Sequence, residues 1–135
     1  MKLFVIRHAH AVDASEDAER PLSKPGRKQV CRLARFLRKT DALPLTELWH
    51  SPLARSRETA ELLSEELGAD AKLTQVDGIE GDDDPATIAG RLKTRRTPVA
   101  MVGHEPHLSA LLSLLARRSC RTTQVHPEES RDCCA

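Results

Sequence analysis

Lys2-Leu3-Phe4-Val5-Ile6-Arg7-His8 decides the fold. The run from Lys2 to Ile6 is rich in β-formers and holds no turn residue, which predicts a short buried strand. Its apolar part is too short for a signal peptide and breaks off at two polar side chains. An apolar strand that ends abruptly in arginine and histidine delivers both to one edge of a sheet.

The same pattern recurs downstream. Glu47 to His50 reads as a second strand, followed by Ser51-Pro52, where serine is expected to cap a helix and proline to occupy its first turn. Pro98 to Val102 reads as another strand, ended by Gly103-His104-Glu105-Pro106. Between these lie amphipathic helices. One opens near Ser23 and carries Val30, Leu33, Ala34 and Leu37; one carries Ala60, Leu63 and Leu67 and stops at Gly68; two more span Ala86 to Arg95 and His107 to Arg117. Lys72 to Val76 is a weaker strand, and Gly78 to Pro85 an acidic loop. Strands alternating with helices predict a three-layer α/β/α sandwich around a mainly parallel sheet. Ligands of such sheets bind beyond the carboxyl ends of the strands, where Arg7, His8, Arg55 and His104 all fall.

Two arginines and two histidines gathered at one edge suit a phosphate. A guanidinium is a planar fork of donors that stays charged at any working pH. A neutral imidazole can attack phosphorus and split one difficult displacement into two. A second histidine that donates a hydrogen bond stabilises charge on the equatorial oxygens. Arg57 competes with Arg55 for the pocket, but their side chains project about 200° apart on a helix, so only one can face it.

Three segments carry a resemblance: Arg7-His8-Ala9, the stretch from Ser51 to Ala60 (SPLARSRETA), and Val102-Gly103-His104-Glu105-Pro106. In this order and spacing they resemble the first branch of the histidine phosphatase superfamily, which includes the cofactor-dependent phosphoglycerate mutases. The short length and the segment Arg20-Pro21-Leu22-Ser23 leading into Gly26-Arg27 look most like the SixA-type phosphohistidine phosphatases. The resemblance covers roughly residues 1 to 116. It implies a phosphoglycerate mutase-like fold. His8 would be the nucleophile, Arg7 and Arg55 the clamp on the phosphoryl oxygens, and His104 the second pocket histidine; water would release the phosphate. Glu80, on a loop that resembles the acid-bearing loop of the mutases, is the candidate general acid, with Asp82, Asp83 and Asp84 beside it. Departures are Ala9 in place of glycine, Ser56 and Glu58 where alanine and glutamine are commoner, and a polar end where the family continues with another strand.

The remaining features bound the function. With 135 residues, 39% hydrophobic and 30% charged, the chain fits one domain, placed at 1–118. Residues 119–135 are polar and cysteine-rich and read as a poorly ordered tail that leaves the sheet without its usual last strand. The net charge of +1 gives no overall field for nucleic acid or membrane, and the scarcity of aromatics argues against a stacking platform. No apolar run could span a bilayer. Together with the lack of a signal, this predicts a cytoplasmic protein. Cys31, Cys120, Cys133 and Cys134 show no zinc spacing, so no metal and no other cofactor is expected. His10 reads as a loop histidine, His50 as structural, and His107 and His126 as surface residues. The expected partner is a phosphorylated protein, such as a histidine phosphotransfer domain. A small phosphorylated metabolite is the alternative substrate, and a non-catalytic phosphate-binding module the alternative role.

Overall fold

The structure is a computed structural model and describes residues 2–40, 46–117 and 121–125, the last of these as backbone. Five strands form one sheet: β1 (Lys2–Arg7), β2 (Glu47–His50), β3 (Lys72–Gln75), β4 (Val99–Gly103) and β5 (Arg121–Val125). Their order is β3-β2-β4-β1-β5, and every pairing is parallel. The helices are α1 (Lys24–Thr40), α2 (Ala54–Glu66), α3 (Pro85–Leu92) and α4 (His107–Ala116).

Side-chain alternation along the central strands splits the core into two layers. Leu3, Val5, Trp49, Val99 and Met101 point to the face covered by Ile88, Ala89 and Leu92 of α3 and Leu108, Leu111 and Leu115 of α4. Phe4, Ile6, Leu48, Ala100 and Val102 point to the face covered by Val30, Leu33, Ala34 and Leu37 of α1 and Ala60 and Leu63 of α2. Strands buried on both faces read as continuous apolar runs, as β1 and β4 do. The expected three-layer α/β/α sandwich is therefore the observed one.

β1 and β4 lie side by side at the centre of the sheet, with Leu3 opposite Val99 and Arg7 opposite Gly103. The chain leaving β1 enters α1 on one face, whereas the chain leaving β4 enters α4 on the other. Diverging connections open a crevice beyond the two strand ends, the topological switch point of this class of sheet. His8 and His104 are the first residues past those ends.

Three expectations are corrected. The segment after Ser119, read as lacking a strand, contains β5, which pairs with β1 from Lys2 opposite Arg121 to Ile6 opposite Val125. Thr122, Thr123 and Val125 are β-branched and suit a strand, but with polar neighbours they give no apolar alternation to read. Residues 126–135, including His126, Cys133 and Cys134, lie outside the described residues, as does Cys120; Cys31 is a free thiol on α1. Helix α2 begins at Ala54, with Leu53 at its N-cap position and no side-chain cap; Ser51 is used otherwise. His107 is buried, at 1% exposure, rather than on the surface. It sits in the first turn of α4, on the side that packs inward with Leu108 and Leu111. Ser23 does cap α1, its hydroxyl accepting the Gly26 amide at 3.0 Å.

Candidate active site

The site begins with the backbone. The His8 amide donates to the Gly103 carbonyl at 3.1 Å, extending the β1–β4 ladder by one step beyond the strands. The Ala9 amide donates to the Thr59 hydroxyl at 3.1 Å, and that hydroxyl donates to the Arg55 carbonyl at 2.7 Å. One buried threonine therefore fixes the end of β1 against the turn of α2 that carries Arg55. Ser56 does the same for the other strands: its hydroxyl accepts the Ser51 amide at 3.0 Å and donates to the Val102 carbonyl at 2.8 Å. The buried face of α2 is thus polar at its start and apolar further on, at Ala60 and Leu63.

These ties bring the rings of His8 and His104 to 4.8 Å between centroids, inclined at 46°. The Nδ1–H of His8 donates to the Ala9 carbonyl at 2.8 Å, which leaves Nε2 as the nitrogen with a free lone pair. Burial, partly opposed by that carbonyl, and then the charges of Arg55, Arg7 and Arg20 push its pKa down to about 4. His104 is pushed to about 3, by burial first and then by His8 and Arg55. Both rings are neutral near pH 7. The Ser51 hydroxyl lies 2.6 Å from Nε2 of His104 and accepts the Leu53 amide at 3.3 Å. That hydroxyl has both a proton and a second lone pair for Nε2; where it donates, the neutral ring carries its own hydrogen on Nδ1. That Nδ1 is buried and meets no partner among the described residues. An unpaired buried polar atom costs about 1–3 kcal/mol.

Arg55 is nearly buried, with its side chain 11% exposed, and its charge acts on both histidines. Arg57 is exposed and pairs with Glu61 at 3.6 Å, so the helix geometry selects Arg55. Arg7 ends β1 in an exposed position, its charge acting on His8. Glu80 stands apart. Its amide is held by the Asp83 carboxylate at 2.8 Å, and Gly81 packs so tightly on the Glu105–Pro106 turn that a Cβ there would meet the Glu105 carbonyl oxygen at 2.9 Å. Asp84 caps α3 through the Ala86 amide at 2.9 Å. Two of the four candidate acids are thereby engaged in building the loop.

Sequence patterns assign no chemical role to three side chains that the structure sets around the two histidines: those of Ser51 and Thr59, and that of Arg20, whose charge acts on His8. The hydroxyls of residues 56 and 59 share the face of α2 that carries Ala60 and Leu63, and polar residues on an inward helix face are the signal that finds them. His10 is tied to Ser23, its Nδ1 lying 2.7 Å from that hydroxyl. His50 is buried and donates to the Ser51 carbonyl at 2.9 Å, a structural role. His107 is buried beside the Gly78 backbone, and burial pushes its pKa down. Among those residues, no three or more His, Cys, Asp or Glu side chains gather as metal ligands would.

Fold and site together define an α/β protein whose switch-point crevice presents paired neutral histidines beside arginine cations. The chain belongs to the histidine phosphatase superfamily, branch 1, whose sequence profile matches residues 3–80, more than half of its length. Among solved structures, it superposes on the protein histidine phosphatase SixA complexed with tungstate with a TM-score of 0.75 at 22% identity, covering 82% of this chain and 74% of that one. A candidate phosphohistidine phosphatase SixA from Nakamurella multipartitia matches at 26% identity with a TM-score of 0.64, over 93% of this chain and 74% of that one. A candidate alpha-ribazole-5'-P phosphatase from Escherichia coli matches at 17% identity with a TM-score of 0.68, over 84% and 78%. No curated protein matches. No helix among the described residues is long and apolar enough to cross a membrane.

Proposed function

We propose that the chain is a metal-independent phosphatase that carries the phosphoryl group on His8 and acts on phosphohistidine in a protein partner. The observation that carries this reading is the pairing of the His8 and His104 rings at 4.8 Å, with Arg55 acting on both. Nε2 of His8 attacks phosphorus as the bond to the leaving nitrogen breaks. The Ala9 carbonyl, accepting from Nδ1–H, stabilises the positive charge that develops on the ring. Arg7 and Arg55 hold the equatorial oxygens, and Nδ1–H of His104 donates to one of them. Water then attacks the phosphohistidine, releasing inorganic phosphate and restoring neutral His8.

The choice of substrate follows from the leaving group. An alkoxide needs a proton in the transition state, whereas the imidazole of a phosphohistidine protonated on its other ring nitrogen departs as a neutral ring. The Asp83 and Asp84 carboxylates are engaged within their own loop, on the Glu80 and Ala86 amides, which leaves fewer acids for a departing alkoxide and favours the phosphoramidate. The second reading, a small phosphomonoester as substrate, is favoured by structural neighbours such as the alpha-ribazole-5'-P phosphatase candidate. Turnover of a phosphohistidine protein and of alkyl phosphates, measured on wild type, His8→Ala and Glu80→Gln, separates these readings. Loss of all turnover in His8→Ala, an acid-labile and base-stable phosphate trapped on wild type, and no effect of chelator are expected. A selective loss of alkyl phosphate hydrolysis in Glu80→Gln favours the metabolite. Phosphate binding without any turnover would make the chain a binding module instead.

A further inference from the structure

The loop between β1 and α1 closes on itself. Its neck is sealed by the Ala11–Leu22 bridge, by the Val12 amide on the Pro21 carbonyl at 2.9 Å and by the Ser23 amide on the His10 carbonyl at 3.0 Å. Its tip is a single 3-10 turn, Asp17–Glu19, that reaches across to α2. There Arg55 donates to the Asp17 carbonyl at 2.9 Å and to its carboxylate at 3.2 Å. The same carboxylate accepts from Arg20 at 3.3 Å, and Arg20 also donates to the Val12 carbonyl at 3.1 Å and pairs with Asp13 at 3.6 Å. One carboxylate thus bridges two guanidiniums, and both of those cations act on the ring of His8.

We propose that Asp17 is a built-in stand-in for the substrate anion. Its carboxylate keeps Arg55 and Arg20 poised at the pocket, and a phosphoryl dianion must take those donors from it to bind. Arg20 is then a third arginine of the phosphoryl site, alongside Arg7 and Arg55. A carboxylate carries one charge on two oxygens, and the Asp17 side chain is 67% exposed, so the contact is weak enough to exchange. A dianion with three acceptor oxygens gains more from two guanidinium forks than a single carboxylate does. The bridge therefore selects for dianionic phosphoryl groups over monoanions. This inference rests on the reading of the crevice as a phosphoryl pocket.

Competitive inhibition by inorganic phosphate tests it on the full chain. Asp17→Asn is expected to tighten phosphate inhibition about two- to fivefold, the range an exposed ion pair is worth, and Arg20→Gln to weaken it. Glu16→Gln removes the same charge from the same loop but holds neither arginine, and should leave the inhibition constant unchanged. Equal effects of Asp17→Asn and Glu16→Gln would reduce the bridge to through-space charge and overturn the proposal, as would weaker inhibition in Asp17→Asn. A carbon-detected titration of Asp17 in the wild-type protein gives an answer independent of any variant. Arg20 first, then Arg55, holds its carboxyl below the usual range, and saturating phosphate should return it toward that range; no movement overturns the proposal. If phosphate neither inhibits nor binds wild type, the functional reading fails as well. If it binds wild type and Asp17→Asn alike, only this inference fails.

Discussion

Ser51→Ala isolates the contribution of a single hydroxyl to the second histidine. Ser51 is fully buried, and its hydroxyl serves both Nε2 of His104 at 2.6 Å and the Leu53 amide at 3.3 Å. Truncation leaves the imidazole nitrogen without a donor in a site where water has little access. An unsatisfied buried group costs about 1–3 kcal/mol; the Leu53 amide, less buried and at longer range, adds less. The expected loss is about 2–3 kcal/mol, read as a lower urea midpoint at unchanged slope. A second effect acts on catalysis alone. Without the serine proton on Nε2, His104 no longer prefers to carry its own hydrogen on Nδ1, and the Nδ1–H donor that the proposed mechanism uses is present only part of the time. That is expected to lower kcat/KM about tenfold, or roughly 1.4 kcal/mol of transition-state stabilisation. Ser51→Thr, which restores the hydroxyl, should recover activity better than stability. A Ser51→Ala protein within 0.5 kcal/mol (roughly the noise of a surface substitution) and twofold of wild type would refute the tautomer argument.

Two further outcomes follow from the same geometry. His8 and His104 have folded pKa values of about 4 and about 3, below the ordinary 6.5. The unfolded chain therefore binds protons first as pH falls, and stability present above pH 6.5 is lost on the way down. Between pH 7.5 and 5.5 each histidine should remove about 1.4 kcal/mol, near 3 for the pair. Urea midpoints at the two pH values measure it, and His8→Asn with His104→Asn should flatten the dependence. Gly26→Ala sets two effects against each other: alanine gains about 1 kcal/mol of helix propensity, but its Cβ would collide with the His10 carbonyl, and overpacking costs about 1–3 kcal/mol. Net destabilisation near 1 kcal/mol and slower turnover are expected, because the displaced backbone is two residues from His8; a more stable variant would show that the contact yields freely.

The fold was legible because its central strands are buried on both faces. Leu3 to Ile6 and Val99 to Val102 carry their apolar runs in local sequence, and the helices between them carry their stripes. Arg7, His8, Arg55 and His104 could be placed at one edge because each follows a strand end or a helix start. The sequence could not supply β5, whose polar residues give no alternation to read; a strand of that kind is defined by its partner. Nor could it assign Ser51, which has the local signature of a helix cap and is used instead on a histidine 53 residues away.

What the chain's own order determines here is the class of side chain delivered to the sheet edge, since periodicity is a property of neighbouring residues. What only the tertiary structure decides is which of those side chains meet, and in what electrostatic state. The crossing of α1 and α4 to opposite faces opens the crevice between His8 and His104. The hydroxyls of Ser51, Ser56 and Thr59 set the register of the strand ends and the orientation of His104. Burial keeps both rings neutral. Each of these depends on contacts between residues distant in sequence, and a local pattern carries no record of them.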